Sequence, residues 1–188
     1  MSKVVGIGGC GRNNVKRMLP SLPSGFDLYT LDQIDDVPYR TPTLQLCRYT
    51  MGATEPTVVG TDQAAYEHLL KDDAPLYIVA GLGGGTGTNV STILAKEAHA
   101  RGIPVYCLVT TPFAFEGKRN AIAKKALIGL AQYATAILTF SNDLLEKVLG
   151  SAVKLETAFS THGEWVMQAL LAVHGLYGQD GNPPTIAG

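Results

Sequence analysis

Two glycine-rich segments, each between a short apolar run and a stretch of helical period, constrain this chain more than any other feature. Residues 6–11 read Gly-Ile-Gly-Gly-Cys-Gly, and residues 81–88 read Gly-Leu-Gly-Gly-Gly-Thr-Gly-Thr. Because glycine has no side chain, its backbone N–H groups can approach an anion closely, and the following helix adds its positive end. Two such loops on neighbouring strands predict a site for an extended polyphosphate.

Apolar runs and helical stretches alternate along the whole chain, as in an α/β protein with a parallel sheet. The predicted strands cover residues 4–8, 26–31, 44–49, 76–80, 105–109 and 136–140. The predicted helices cover about residues 13–19, 61–70, 88–100, 118–133, 142–150 and 155–176. We therefore predict a doubly wound, mostly parallel sheet with helices on both faces. No composition change marks a linker, so residues 1–177 form one domain, followed by a loose tail at residues 178–188.

The composition excludes several classes of function. Hydrophobic residues make up 46% of the chain, and 15 basic residues balance 16 acidic ones. This balance gives no surplus of positive charge for a nucleic-acid partner. No apolar run reaches the roughly 18 residues of a membrane span, and the early glycines do not fit a signal peptide. The three cysteines lack metal-ligand spacing, so we expect a reduced, cytoplasmic protein without a metal site of its own.

The first loop alone also fits a different class of protein. It has the spacing G-x-G-x-x-G after a strand, and Asp32 ends the next strand about 20 residues later, as in dinucleotide-binding proteins. This pattern supports an NAD(P)-dependent Rossmann oxidoreductase as an alternative. A Rossmann enzyme needs one such loop, however, and this chain has two. The second is not a Walker loop either, since no Gly-Lys-Ser/Thr follows it.

Four segments, taken in chain order, resemble the tubulin/FtsZ family of GTPases. Residues 83–88 resemble the signature loop of that family, and residues 4–11 resemble its first phosphate loop. Residues 110–118 resemble the segment with its ribose-contacting glutamate, and residues 141–145 resemble the segment whose asparagine reaches the nucleoside. The likeness extends over nearly all of residues 4–176. It implies the family's nucleotide-binding domain, related to filament-forming cell-division GTPases, with GTP or GDP as ligand.

The resemblance also implies roles for individual residues. Glu116 and Asn142 would contact ribose and base, Phe159 would stack on guanine, and Glu164 stands where the family has an aspartate that reads the base edge. A bound Mg²⁺ could offset the phosphate charge. The complete set of implied GTP-binding residues is Gly8, Gly9, Cys10, Gly11, Asn13, Gly83, Gly84, Gly85, Thr86, Gly87, Thr88, Glu116, Asn142, Phe159 and Glu164.

Two further positions concern the phosphates. Residues 52–56 resemble the family's loop that senses the γ-phosphate. Arg12 stands where the family usually has a small residue, and it is either a cation near the phosphates or a solvent-facing side chain.

The family hydrolyses GTP across a subunit interface, with an acidic loop of one subunit inserted into the next. Here residues 178–185 contain Asp180 as their only acid, and the family's second domain has no counterpart. The chain is thus either a piece of a longer protein or a natural minimal relative. We assign no catalytic residue and expect hydrolysis only if a partner supplies the acids. The partner would be a second copy or a full-length FtsZ-like protein at the nucleotide face; a filament-capping or regulatory binding module is the alternative.

Overall fold

The computed structural model describes residues 1–34, 42–150 and 152–177. Its strands are β1 (Ser2–Ile7), β2 (Phe26–Ile34), β3 (Thr43–Tyr49), β4 (Thr57–Thr61), β5 (Leu76–Gly81), β6 (Val105–Thr111) and β7 (Ala136–Ser141). Its helices are α1 (Gly8–Met18), α2 (Asp62–Leu69), α3 (Thr86–Ala100), α4 (Gly117–Leu130), α5 (Asn142–Leu149) and α6 (Leu155–Tyr177). The tail predicted at residues 178–188, with Asp180, lies outside the described residues.

The strands form one sheet in the order β4-β3-β2-β1-β5-β6-β7, in which β2, β1, β5, β6 and β7 are parallel. The central strands are buried almost throughout, which explains why they occur in the sequence as continuous apolar runs. Helices α1 and α6 pack on one face, and helices α2, α3 and α4 pack on the other. The predicted doubly wound, mostly parallel fold is therefore confirmed. No helix of the described part is both long and apolar enough to cross a membrane.

The register of the sheet brings the two glycine loops to one edge. Ile7, the last residue of β1, pairs with Ala80 near the end of β5, and each strand leads directly into its loop. Ligands of open α/β sheets bind at this carboxyl edge. The helices that follow begin inside the glycine segments, at Gly8 and Thr86. The sequence had predicted later starts, at about residues 13 and 88.

The β3–β4 hairpin was not predicted, and it moves one expected part of the site. Strand β3 runs antiparallel to β2, with Leu46 opposite Leu31 and Tyr49 opposite Leu28. The loop after β3 therefore lies near the amino ends of the parallel strands, away from the glycine loops. There it borders a cavity of about 320 Å³ together with Lys16 of α1. Residues 52–56, expected to sense the γ-phosphate, are thus at the opposite edge of the sheet.

A buried lysine anchors α2 to the central strand. Lys3 of β1 is only 2% exposed, and its Nζ donates to the Leu69 carbonyl at 2.7 Å and to Asp72 Oδ1 at 2.6 Å. A buried ammonium group is costly unless it is paired and hydrogen-bonded, so these contacts are needed for folding. Burial raises the pKa of Asp72, but the hydrogen bond and charge of Lys3 outweigh burial, and the net pKa lies below its usual value.

This ion pair makes the stability of the fold depend on pH. Because the pKa of Asp72 is lower in the folded than in the unfolded chain, its stabilisation is present above about pH 4 and is lost as the pH falls through the folded pKa. We expect Asp72→Asn to lower the free energy of unfolding at pH 7 by about 1–3 kcal/mol. Urea unfolding should reveal a much smaller difference at pH 3. The control is Asp73→Asn, at the exposed neighbouring residue; equal losses in both variants would contradict the assignment.

Candidate functional site

The two glycine loops touch each other at the carboxyl edge between β1 and β5. A Cβ atom placed on Gly8 would lie 3.1 Å from the Gly87 nitrogen and 3.6 Å from the Thr86 Cβ. The first turns of α1 and α3 therefore start side by side, although the two helices pack on opposite faces of the sheet. Helix N-termini carry unpaired N–H groups and partial positive charge, so their convergence creates a place for an anion.

Two glycines are required here by close approach of the backbone. A Cβ atom on Gly11 would collide with the carbonyl oxygen of Val79, and one on Gly87 would collide with the carbonyl oxygen of Gly81. Both carbonyls belong to β5. Any larger residue at these positions would push α1 or α3 away from the strand, so these glycines serve the packing of the loops.

Three other glycines of the loops leave the backbone open to a ligand. Gly9, Gly84 and Gly85 are exposed, and a Cβ atom on any of them would have no heavy atom within 4 Å. The backbone of the second loop is held by its own side chains, since the Gly83 N–H donates to Thr88 Oγ1 at 2.9 Å. The result is a cradle with an open upper side, suited to phosphate oxygens.

A cavity of about 350 Å³ adjoins the cradle on the β5–β6 side. It is bordered by four of the residues that the resemblance assigned to nucleotide binding: Cys10, Asn13, Asn142 and Phe159. The Phe159 ring is 52% exposed and lies under the Arg17 guanidinium, whose carbon is 5.8 Å from the ring centroid. An exposed aromatic ring in a cleft offers a stacking surface for a planar base.

The cavity also contains polar groups that the sequence analysis missed. Asn14 is 4% exposed, and its Nδ2 donates to the Cys10 carbonyl at 3.0 Å. Because a carbonyl can only accept, this bond fixes the orientation of the amide. Asn14 Oδ1 is then left without a hydrogen-bond partner among the described residues. A buried acceptor of this kind is costly, and a ligand N–H would satisfy it.

His162 and Thr110 form a second polar contact in the cavity, with 3.0 Å between His162 Nε2 and Thr110 Oγ1. Burial, followed by the charge of Arg17, lowers the pKa of His162, so the imidazole is neutral at pH 7. No motif marks Asn14 or His162 in the sequence, and Thr110 begins the segment of residues 110–118 without an assigned role. The only available signal was the presence of polar residues in otherwise apolar stretches.

Two predicted residues lie beside the cavity rather than in its wall. Glu116 accepts from the Phe113 N–H at 3.1 Å and from Arg119 Nη1 at 2.5 Å. Glu164 is exposed and borders a separate cavity of about 200 Å³, on the α1–α6 seam. Arg17 borders both cavities and so stands between Glu164 and the main one. A role for Glu164 at the base edge would require it to reach around Arg17.

No group of three or more His, Cys, Asp or Glu side chains in residues 1–34, 42–150 and 152–177 could hold a metal ion.

Comparisons with known proteins give one family. Residues 67–150 match the model of the tubulin/FtsZ family, GTPase domain. In these residues the chain is similar to the tubulin/FtsZ family. It is 30% identical over 191 residues to the cell division protein FtsZ of Buchnera aphidicola subsp. Baizongia pistaciae, with 95% of this chain and 50% of that protein covered. For FtsZ of Wigglesworthia glossinidia brevipalpis the identity is 29% with the same coverage.

The fold is similar to that of a solved FtsZ dimer from M. jannaschii, with a TM-score of 0.66, 23% identity, and coverage of 94% of this chain and 55% of that one. The chain thus spans about half the length of the FtsZ relatives that it matches. The family match contains the second glycine loop and Glu116 and Asn142, whereas the first loop and α6 lie outside it.

The open and the closely packed glycines should respond differently to the same substitution. Gly84→Ala adds a methyl group in open space, so we expect an unchanged melting temperature but at least about tenfold weaker binding of GDP, because the methyl lies where phosphate would. Gly87→Ala should lower the melting temperature strongly. Thermal melts and titrations with fluorescent GDP measure both effects, and Gly175→Ala on α6, also in open space, is the matched control. Normal GDP binding by Gly84→Ala would move the phosphates away from the second loop.

Proposed function

We propose that this domain binds GTP and GDP, with the phosphates over the two glycine loops and the base in the adjoining cavity. The convergence of two open glycine loops and two helix N-termini beside that cavity carries the proposal. The N–H groups at Gly9, Gly84 and Gly85 would donate to phosphate oxygens, and a Mg²⁺ bound by the phosphates would offset their charge. The proposed setting is the cytoplasm, without a nucleic-acid partner.

The cavity favours guanine over adenine through its unsatisfied acceptor. Guanine carries two neighbouring donors on its pairing edge, N1–H and the 2-amino group, whereas adenine presents a donor beside an acceptor. Asn14 Oδ1 lies at the α1–α6 seam, where a Cβ atom on Gly163 would be 3.5 Å from it, and Asn14 and Phe159 border the same cavity. A base stacked on Phe159 could therefore direct a donor toward Asn14, while Asn142 contacts the nucleoside. Discrimination by one buried hydrogen bond is strong, because the wrong base leaves the group unpaired.

Turnover needs a group that orients the attacking water, and three carboxylates that the described residues place at this edge have partners within the fold. Asp32 pairs with Arg12, Glu116 with Arg119, and the Asp143 carboxylate accepts from the Ala114 N–H. Phosphoryl transfer depends on positioned groups of this kind. We therefore propose that hydrolysis requires carboxylates from a partner, either another copy or a full-length FtsZ-like protein docked on the nucleotide face.

Guanine preference is tested by thermal shift. At about 100 times its dissociation constant, GDP should stabilise the chain by roughly 2.7 kcal/mol, and ADP at the same concentration should stabilise it much less. NAD serves as the control for an oxidoreductase. Equal shifts with GDP and ADP would contradict the assignment of the base site, and a shift with NAD alone would favour the Rossmann alternative.

Turnover is tested by phosphate release at increasing protein concentration. We expect the 188-residue chain to bind GTP but to hydrolyse it negligibly at every concentration. Added full-length FtsZ should gain filament ends capped by this chain, and its filaments should become shorter. GTP turnover by the chain alone that grows with concentration would refute this expectation and would assign the missing role to Asp180 or to another group.

A further inference from the structure

A string of polar contacts joins the two glycine loops through the end of β2. Arg12 of α1 pairs with Asp32, with 3.2 Å between Nη1 and Oδ2. The Gln33 N–H donates to Asp32 Oδ1 at 2.9 Å, and Thr86 Oγ1 donates to Gln33 Oε1 at 3.1 Å. This string, from Arg12 through Asp32 and Gln33 to Thr86, connects the helix after the first loop to the first residue of α3.

The string stands at the end of the phosphate cradle that faces away from the base cavity. Asp32 follows Leu31, which pairs with Ile7 at the start of the first loop, so the string lies over β2. The base cavity borders Gly81 and Thr110, at the ends of β5 and β6. Because β1 lies between β2 and β5 in the sheet, a nucleotide with its base in the cavity and its phosphates over the loops would extend its terminal phosphate toward the string.

Arg12 has the chemistry to bind that phosphate. Its side chain is 45% exposed, so the guanidinium is accessible to a ligand. A half-exposed ion pair contributes little to stability, and the contact with Asp32 can be exchanged at small cost. A guanidinium binds phosphate oxygens with two parallel hydrogen bonds, and the terminal phosphate carries more negative charge than one carboxylate. Residues 52–56, the loop expected to sense this phosphate, lie at the other edge of the sheet.

We propose that Arg12 reads the terminal phosphate and thereby distinguishes nucleoside triphosphate from diphosphate, exchanging its contact with Asp32 for one with the γ-phosphate. This inference rests on the proposed nucleotide site and adds to it the residue that senses the phosphorylation state. Release of Asp32 would also free one end of the string, so the link between β2 and the second loop would differ between the two nucleotide states.

The experiment compares a non-hydrolysable GTP analogue with GDP in the full chain. Titrations with wild type and Arg12→Gln give two affinities for each protein, and their ratio is the readout. We expect Arg12→Gln to bind the analogue about tenfold more weakly, as for loss of a charged hydrogen bond, and GDP less than about twofold more weakly. The matched control is Lys16→Gln, which removes a positive charge from the same helix. Lys16 borders the cavity near the amino ends of the parallel strands, so the affinity ratio of this variant should equal that of wild type.

A second variant tests the exchange with Asp32. Asp32→Asn removes the competing carboxylate, and we expect it to bind the analogue about threefold more tightly, a gain that should disappear when Arg12→Gln is added. A gain that persists in full in the double variant would overturn the exchange. Melting temperatures of all variants verify that they are folded, which the exposure of Arg12 favours.

The outcomes separate this inference from the function on which it rests. If wild type binds both nucleotides and Arg12→Gln weakens both by the same factor, or neither, Arg12 does not read the terminal phosphate and only this inference fails. If wild type binds neither nucleotide, the proposed site fails and the inference fails with it. A loss confined to the triphosphate in Arg12→Gln, with Lys16→Gln unaffected, supports it.

Discussion

The contacts of Gly11 and Gly87 with the backbone of β5 are the constraint on which the rest of the site depends. Each glycine lets a helix start directly against a strand carbonyl, that of Val79 or of Gly81. The two helices approach this strand from opposite faces of the sheet, yet their first turns end up side by side. The anion cradle, the cavity beside it and the polar string across it all follow from this arrangement. It also explains why the glycines of the two loops are not equivalent.

A second feature of the site is that several of its charged side chains already have partners within the fold. Among the described residues near the cradle, Asp32, Glu116 and Asp143 bind arginines or backbone N–H groups, which reduces the repulsion of a polyphosphate. The neutral His162 and the amide of Asn14 give the cavity polarity without net charge. A site built in this way is suited to holding a highly charged ligand, whereas chemistry on that ligand needs groups that are free.

The sequence was sufficient for the parts of the fold that depend on continuous burial. The strands β1, β5 and β6 are buried almost throughout, and apolar runs such as residues 76–80 predicted them directly. Strand β4 was missed because its Val58 is exposed and Gly60 interrupts the run. The starts of α1 and α3 were placed too late, because glycines indicate loops locally, whereas here tertiary packing draws them into helices.

In the site, too, local sequence patterns predicted some parts, whereas other parts depend on tertiary packing. Glycine spacing located the cradle, because the function of that part resides in the backbone. Asn14, Thr110 and His162 come together only through the packing of α1, β6 and α6, which no local pattern encodes. The strand direction of β3 likewise depends on pairing, so the expected place of residues 52–56 was wrong.

Because β3 is antiparallel to β2, residues 52–56 lie far from the two glycine loops, whereas the resemblance implied that both segments contact the phosphates. The hairpin tip at Met51 and Gly52 is exposed, and a Cβ atom on Gly52 would meet no heavy atom within 4 Å. It lies near the amino ends of the parallel strands, away from the cradle, so its length can change without moving either glycine loop. An inserted peptide tag or a fused reporter domain at this hairpin would therefore leave the cradle in place.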